Sequence, residues 1–179
     1  MFDVASIPPR SNMTMLVAFY DLTRFARWSS GVAPEQAYIL MDQLAEMVGD
    51  KVSSGGGKVV KFIGDAALIV FPEDAAGTGV LCLKELKRLT DTWLADKGLG
   101  SRMILKVHFG PVVCGPFGTK DDKRFDVFGD TVNATARLTS YGFSITPQAF
   151  RCLDEAGRKL FKKHTPPIRY LPVEESHRD

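Results

Sequence analysis

The sequence contains little cysteine, with Cys82, Cys114 and Cys152 as its three thiols among 179 residues. These cysteines lie far apart and form no CxxC pair, which argues against both a zinc site and a disulfide scaffold. Free thiols suit a reducing compartment, so we expect a cytoplasmic location.

Long apolar runs, charge clusters and repeats are also missing. No stretch is apolar enough to span a bilayer, and the N-terminal MFDVASIPPRSN lacks a signal-peptide pattern. The formal net charge of +2 comes without a basic block, so we expect neither a nucleic-acid partner nor membrane insertion. Without a linker, the chain reads as an N-terminal extension (1–12), one domain (13–175) and a short tail (176–179).

The apolar patterns alternate between strand and helix periods along the chain. They predict a strand over 13–22, a helix from Pro34, a hairpin over 58–71 and a helix over 74–94. Strands in RMILKVHFG, PVVCGPFG and RFDVFG come next, and then a helix over DTVNATARLTSYG that Asp130 caps. A strand in FSIT, a helix in PQAFRCLDEAGRKL and a last strand near IRYLPV complete the chain. This order predicts an α/β protein, specifically an α+β sandwich with a ferredoxin-like, mainly antiparallel sheet and helices on one face.

Two aspartates end neighbouring strands of this predicted sheet. If the first strand and KVVKFI flank ALIVF, they run parallel, and Asp21 and Asp65 meet at one edge of the sheet. Two such carboxylates repel unless a cation lies between them, and oxygen ligands select Mg²⁺ or Mn²⁺. Each residue alone also suits a turn, so the pair carries the metal hypothesis.

Lys61 poses a separate question, because its strand neighbours on one face would be Val59 and Ile63. Asp126, in FDVFGD, is also an acid in apolar company. If both face one ligand, the lysine donates and the carboxylate accepts, which matches N1 and N6 of adenine and is the reverse of guanine. A structural ion pair without a ligand explains the two residues equally well.

Asn133 and Arg137 lie four residues apart in the helix after FDVFGD, and therefore share a helix face. An asparagine there can orient a sugar oxygen, and an arginine fork can bind phosphate oxygens. A solvated helix face is the alternative.

Taken together, four segments resemble the class III adenylyl/guanylyl cyclase catalytic domain. They are VAFYDLTRF, GGGKVVKFIGDAALIVF, HFGPVVCGPFG and FDVFGDTVNATARL, and the resemblance extends from Leu16 to Leu171. It implies the class III nucleotidyl cyclase fold, with 13–175 as the catalytic domain. It also implies roles for individual residues: two metal ions, Mg²⁺ or Mn²⁺, on Asp21, Asp65 and the carbonyl of Leu22; adenine selection by Lys61 and Asp126; ribose orientation by Asn133; transition-state stabilisation by Arg137; and substrate contacts from Phe25 and Lys162.

The resemblance implies an adenylate cyclase that converts ATP to 3′,5′-cyclic AMP and pyrophosphate. In this family each site combines metal acids from one subunit with base- and phosphate-side residues from the other, so we expect a homodimer with composite active sites. MLVAFY and ALIVF support a partner, because both faces of these strands are apolar. A helical layer or the C-terminal segment could provide that cover instead.

Three departures from the family pattern keep alternatives open. Arg24 stands where a small residue is usual, Phe62 replaces a common threonine, and Lys162 is followed by Lys163 rather than glycine. The alternatives are a guanylyl or other nucleotidyl cyclase, or a degenerate domain that binds and regulates another protein. An RNA-recognition domain would need aromatic stacking residues and an RNP-like stretch, which the sequence lacks.

Overall fold

The structure is a computed structural model and describes residues 2–175. Within that range the strands are Ser11–Leu22 (β1), Lys58–Ile63 (β2), Ala66–Pro72 (β3), Met103–Gly118 (β4), Lys123–Phe128 (β5), Phe143–Ile145 (β6), Phe161–His164 (β7) and Arg169–Pro172 (β8). The α-helices are Phe25–Ser29 (α1), Pro34–Ser54 (α2), Ala76–Asp96 (α3), Asp130–Arg137 (α4), Pro147–Arg151 (α5) and Glu155–Arg158 (α6).

The strands form one sheet in the order β2-β3-β1-β4-β6-β8-β7, and β5 pairs with β4 outside this path. β1 is antiparallel to both β3 and β4, whereas β4 and β6 are parallel. β1 lies in the interior of the sheet, between β3 and β4. Its successive residues Leu16, Val17 and Ala18 are all buried, so both faces of this strand are covered. The predicted fold class, an α+β sandwich with a mainly antiparallel sheet, is confirmed.

The two faces of the sheet are covered differently. The first face, which carries Leu16, Ala18 and Tyr20, packs against the apolar sides of α2 and α3. The second face, which carries Met15 and Val17, packs against the N-terminal segment, β5 and α4. The two long helices therefore share one face, and smaller elements cover only part of the other.

The N-terminal residues belong to this second-face packing. Ile7 is buried there, and β1 begins at Ser11 rather than at residue 13. The division of the chain at residue 13 remains a prediction, and the proposed tail at 176–179 lies outside the described residues. Across residues 2–175, no helix has the length and apolar character that crossing a membrane requires.

Several predicted element bounds were wrong. β4 is one strand where two were predicted, because β1 pairs with it continuously from Met103 to Cys114. The second long helix starts at Ala76, after a 3-10 turn over 73–75. The helix predicted in PQAFRCLDEAGRKL is broken into α5 and α6, since Asp154 accepts a hydrogen bond from the Gly157 N–H and starts a new helix.

The start of α4 also differs from the prediction. Gly129, not Asp130, is the N-cap residue, and it has a φ of 130°, a backbone conformation that favours glycine. Asp130 is the first residue inside the helix, where its negative charge still complements the helix dipole. The helix ends at Arg137, so TSYG is not helical.

Candidate functional site

The sheet brings Asp21 and Asp65 together at one edge. β3 lies between β1 and β2 and is antiparallel to both, so β1 and β2 end on the same side. Asp21 is exposed near the end of β1, and Asp65 is half-buried in the turn between β2 and β3. Gly64 makes this tight turn possible with a φ of 62°.

The electrostatics of this acid pair favour a bound cation. Burial raises the pKa of the Asp65 carboxyl above its usual value, and repulsion from Asp21 adds to that rise. Hydrogen bonds from the backbone N–H groups of Asp65 and Leu22 oppose it. A divalent cation between the carboxylates would remove the repulsion.

The donor set of the site fits Mg²⁺ or Mn²⁺. Both side chains offer hard carboxylate oxygens, and the next residue after Asp21, Leu22, has a backbone carbonyl oxygen. In the part of the chain that the structure describes, no group of three or more His, Cys, Asp or Glu residues gathers as a metal cage. Mg²⁺ typically uses one or two carboxylates and completes its shell with water and substrate phosphates, so two acids suffice. Leu22 as a metal ligand stays a prediction.

Tyr20 lies behind this edge and was not singled out from the sequence. It is buried, its hydroxyl has no hydrogen-bond partner among the described residues, and burial together with the charge of Asp65 raises its pKa. Its apolar neighbours in the strand gave no signal that the ring would lie beneath an acid.

Lys61 and Asp126 form an ion pair, with the lysine Nζ 2.6 Å from a carboxylate oxygen. The lysine side chain is 46% exposed and the aspartate 12% exposed. The predicted setting of Lys61 beside Val59 was wrong: the pairing register shifts between these residues, so Val59 opposes Ile69 and Lys61 opposes Leu68. This bulge turns the lysine away from the valine side.

The backbone of Asp126 also helps to hold its carboxylate. One oxygen accepts a hydrogen bond from the Val127 N–H at 2.9 Å, while the other meets Lys61. The pair therefore forms without a ligand, and the half-exposed amine leaves it accessible to one. Both sequence interpretations, an ion pair and a base-reading pair, are compatible with this arrangement.

Helix α4 presents Asn133 and Arg137 on its exposed side. The buried Thr131 and Thr135 face the protein instead, and the Thr131 hydroxyl donates to the Pro111 carbonyl at 2.6 Å. The helix is thus fixed to β4 by one face, while the predicted site residues on the other remain free to meet a ligand.

Lys106 supports the end of α4 and was missed by sequence reasoning. Its Nζ donates to the Ala136 carbonyl at 3.1 Å, beside Arg137. A cation at a helix C-terminus is favourable because the carbonyls there carry partial negative charge. The sequence did contain a sign of this role, because Lys106 is a charged residue between the apolar strand residues Leu105 and Val107.

The segment after Asp21 contains the unusual Arg24. This residue has a φ of 59°, a left-handed conformation that costs a non-glycine residue about 1 kcal/mol. It precedes α1, in which Phe25 is half-buried and packs its ring 5.5 Å from the ring of Trp28. Phe25 as a substrate contact stays a prediction.

Lys162 is not gathered with the other predicted residues. Its Nζ donates to the Val173 carbonyl at 3.0 Å and to the Glu175 carbonyl. Lys163 is exposed on the same short strand, β7, which was not predicted. Lys162 would have to leave these backbone partners to reach a substrate, and its assignment stays a prediction.

Asp21 and the end of α4 are neighbours in a single chain, but the space between them is small. Asp21, Lys106 and Ala136 line a cavity of about 150 Å³. Pockets for small molecules usually measure about 300–1,000 Å³. The cavity is therefore smaller than a usual small-molecule pocket.

Comparison with known proteins identifies similar domains. The model of the adenylate and guanylate cyclase catalytic domain matches residues 7–166. Adenylate cyclase 2 of Rhizobium meliloti (strain 1021) is 29% identical over 135 residues, which cover 72% of this chain and 36% of that protein. The receptor-type guanylate cyclase gcy-23 of Caenorhabditis elegans is 28% identical over 143 residues, covering 75% of this chain and 13% of that protein. The chain thus spans about a third or less of the length of these relatives.

Solved structures show the same fold. A bacterial light-regulated adenylyl cyclase matches with a TM-score of 0.81 at 19% identity, over 98% of this chain and 56% of that one. The guanylyl cyclase Cya2 matches with a TM-score of 0.76 at 20% identity, over 91% of this chain and 92% of that one. An adenylyl cyclase and a guanylyl cyclase both share this fold, so the fold alone does not show whether the substrate carries adenine or guanine.

Proposed function

The chain belongs to the adenylate and guanylate cyclase catalytic domain family, and on that basis we propose that it converts ATP to 3′,5′-cyclic AMP and pyrophosphate. The observation that carries the choice of adenine is the Lys61–Asp126 pair. The rest of the site supports the chemistry that both branches of the family share.

Adenine fits the hydrogen-bonding capacity of this pair. Lys61 can only donate, so it would meet the N1 acceptor, and ionised Asp126 can only accept, so it would meet the N6 amino group. Guanine has the reverse arrangement, an acceptor at O6 and a donor at N1. In the same pose the carboxylate would meet O6 and the lysine would meet the N1–H, so neither contact would be a hydrogen bond. The half-exposed lysine can turn from Asp126 towards a base without unfolding its strand.

The acid pair would hold two divalent cations per site. Bound there, such ions lower the pKa of an attacking hydroxyl and neutralise charge on the triphosphate. The contribution of the chain is to fix Asp21 and Asp65 at one edge of the sheet.

The exposed side of α4 would bind the sugar and phosphates. Asn133 would orient the ribose. Arg137 would donate hydrogen bonds from its planar guanidinium group to phosphate oxygens as negative charge develops in the transition state. In the reaction the 3′-oxygen forms a bond to the α-phosphorus, the bond to the pyrophosphate oxygen breaks, and the hydroxyl proton is released to solvent. Lys106 would keep Arg137 in place through the Ala136 carbonyl.

A second copy of the chain would complete each site. The cavity between Asp21 and α4 is smaller than a usual small-molecule pocket, so a second chain would supply further surface for the nucleotide. Exposed apolar side chains also remain on β4 and β5, where Val113, Phe117 and Phe128 are 40%, 59% and 42% exposed. Such residues on neighbouring strands are typical of an interface.

A regulatory binding module is the second candidate. Arg24 and Lys162 favour it: Arg24 is a large cation where the family usually has a small residue, and the Lys162 amine is already bound to two backbone carbonyls. Such a module would keep the fold and the dimer without turnover.

Product analysis with each of ATP, GTP, CTP and UTP tests the proposal. Purified protein is assayed with Mg²⁺ or Mn²⁺ at several protein concentrations. We expect cyclic AMP from ATP, with specific activity that rises with protein concentration because the sites are composite. Cyclic GMP as the main product would select the guanylyl alternative, and the absence of any cyclic product would favour the binding module.

A further inference from the structure

A second cavity lies apart from the candidate active site. It measures about 570 Å³ and is bordered by the second half of α3 and by β6 and β8. Among the described residues, none of the predicted site residues lines it. Its charged and polar lining includes Lys84, Lys87, Arg102, Ser144, Arg169 and Glu174.

Arg169 is a buried charge at this cavity, and no carboxylate of the described residues pairs with it. The residue is 6% exposed, and one terminal N–H group donates to the Thr139 carbonyl at 3.0 Å. Its Nε–H has no hydrogen-bond partner, and no carboxylate within residues 2–175 forms an ion pair with it. A buried guanidinium in this state is costly unless an anion compensates it.

The acids of the cavity are already used by other groups. Glu174 pairs with Lys84 at 2.6 Å, and Asp91 pairs with Lys87 at 2.6 Å. Glu175 accepts a hydrogen bond from the Phe143 N–H at 2.9 Å. Within residues 2–175, the lysines of the cavity therefore have counter-charges and Arg169 has none.

Two further donors lie at the same cavity. The hydroxyl of Ser144 is fully buried and has no partner among the described residues. Arg102 is exposed at the cavity rim. Within the described residues, the Nε–H of Arg169 and the hydroxyl of Ser144 therefore lack acceptors, and Arg102 adds a guanidinium group at the rim.

We propose that this cavity binds a small oxyanion, the phosphate or carboxylate group of a metabolite. The planar fork of an arginine matches the oxygen spacing of both groups. The Nε–H of Arg169 and the hydroxyl of Ser144 are enclosed in this structure, so both side chains would turn towards the bound anion, and Arg102 would approach it from the rim. None of the residues assigned to the nucleotide lines the cavity, although the Lys162 amine binds the backbone carbonyl of Glu175 at its border.

Titration followed by ¹H–¹⁵N nuclear magnetic resonance tests the proposal without nucleotide or divalent metal. Sodium phosphate and sodium acetate are added separately, each against sodium chloride at equal ionic strength. We expect saturable shifts of the Gly142 and Ser144 amides with at least one oxyanion and none with chloride. The anion that saturates identifies the head group.

Two variants keep the test independent of folding. Ser144→Ala removes a buried hydroxyl that has no partner within residues 2–175, and Arg102→Gln changes an exposed side chain, so both should fold. Each is expected to weaken oxyanion binding roughly tenfold, the effect of one charge-assisted hydrogen bond. Lys120→Gln, which removes an exposed charge elsewhere, and Arg137→Ala, at the candidate active site, should leave the affinity unchanged.

The proposal is overturned if the shifts do not saturate, if chloride reproduces them, or if both cavity variants bind as tightly as the unaltered protein. Loss of the shifts in Arg137→Ala alone would also overturn it, because that result would assign the anion to the candidate active site.

Discussion

Replacing Asp65 with alanine is expected to lower cyclic nucleotide formation by about 1,000-fold or more, while the protein stays folded. The activity falls because the variant keeps only Asp21 of the two acids that would hold the cations. The fold persists because Asp65 lies half-buried in a turn whose geometry depends on Gly64.

The thermal stability of Asp65→Ala is a second measurable effect of the same change. In the native protein the Asp65 carboxylate is destabilised by burial and by repulsion from Asp21. Alanine removes both costs, so the melting temperature without metal should be equal to or higher than that of the native protein. Thermal melting and product assays on the same preparations measure the two effects.

Asp121→Ala is the matched control, since Asp121 is an exposed aspartate in the loop between β4 and β5. It should retain full activity. A folded Asp65→Ala protein with activity within tenfold of the native value would refute the metal assignment.

The second large effect concerns the choice of base. Replacing Lys61 with glutamate and Asp126 with cysteine together is expected to lower the ratio of ATP to GTP turnover by about 100-fold or more. The glutamate accepts where the lysine donated, and the cysteine can donate weakly where the carboxylate accepted. The ratio is measured as kcat/KM for each nucleotide on one preparation.

The double change is needed because the two side chains form an ion pair. Lys61→Glu alone would place two acids together and leave the buried Asp126 without its counter-charge, which lowers stability and activity with both nucleotides. Lys58→Glu, at an exposed lysine on the same strand, is the control for charge and should leave the ratio unchanged. An unchanged ratio in an active double variant would show that the pair is only structural.

The sheet edge could be predicted from the sequence because its causes are local and topological. The apolar runs around Asp21 and Asp65 mark two strands, and the rules for strand connections place their ends together. The face of α4 followed in the same way from the four-residue spacing of Asn133 and Arg137.

What the sequence missed depends on contacts between distant segments. The bulge that re-aims Lys61 depends on pairing with β3, and strict alternation of side chains does not reveal it. The length of β4 depends on β1, and the partners of Lys162 are backbone carbonyls more than ten residues away. The support of α4 by Lys106 likewise joins residues thirty positions apart.

We propose that two chains assemble each active site, with the acids from one and α4 from the other. Mixing Asp65→Ala protein with Arg137→Ala protein tests it directly, with cyclic AMP formed from ATP as the readout. Each variant alone should be almost inactive. In an equal mixture half of the dimers would be mixed, each with one intact site of two, so about a quarter of native activity should return. A mixture no more active than its two components, with subunit exchange verified, would contradict the composite site.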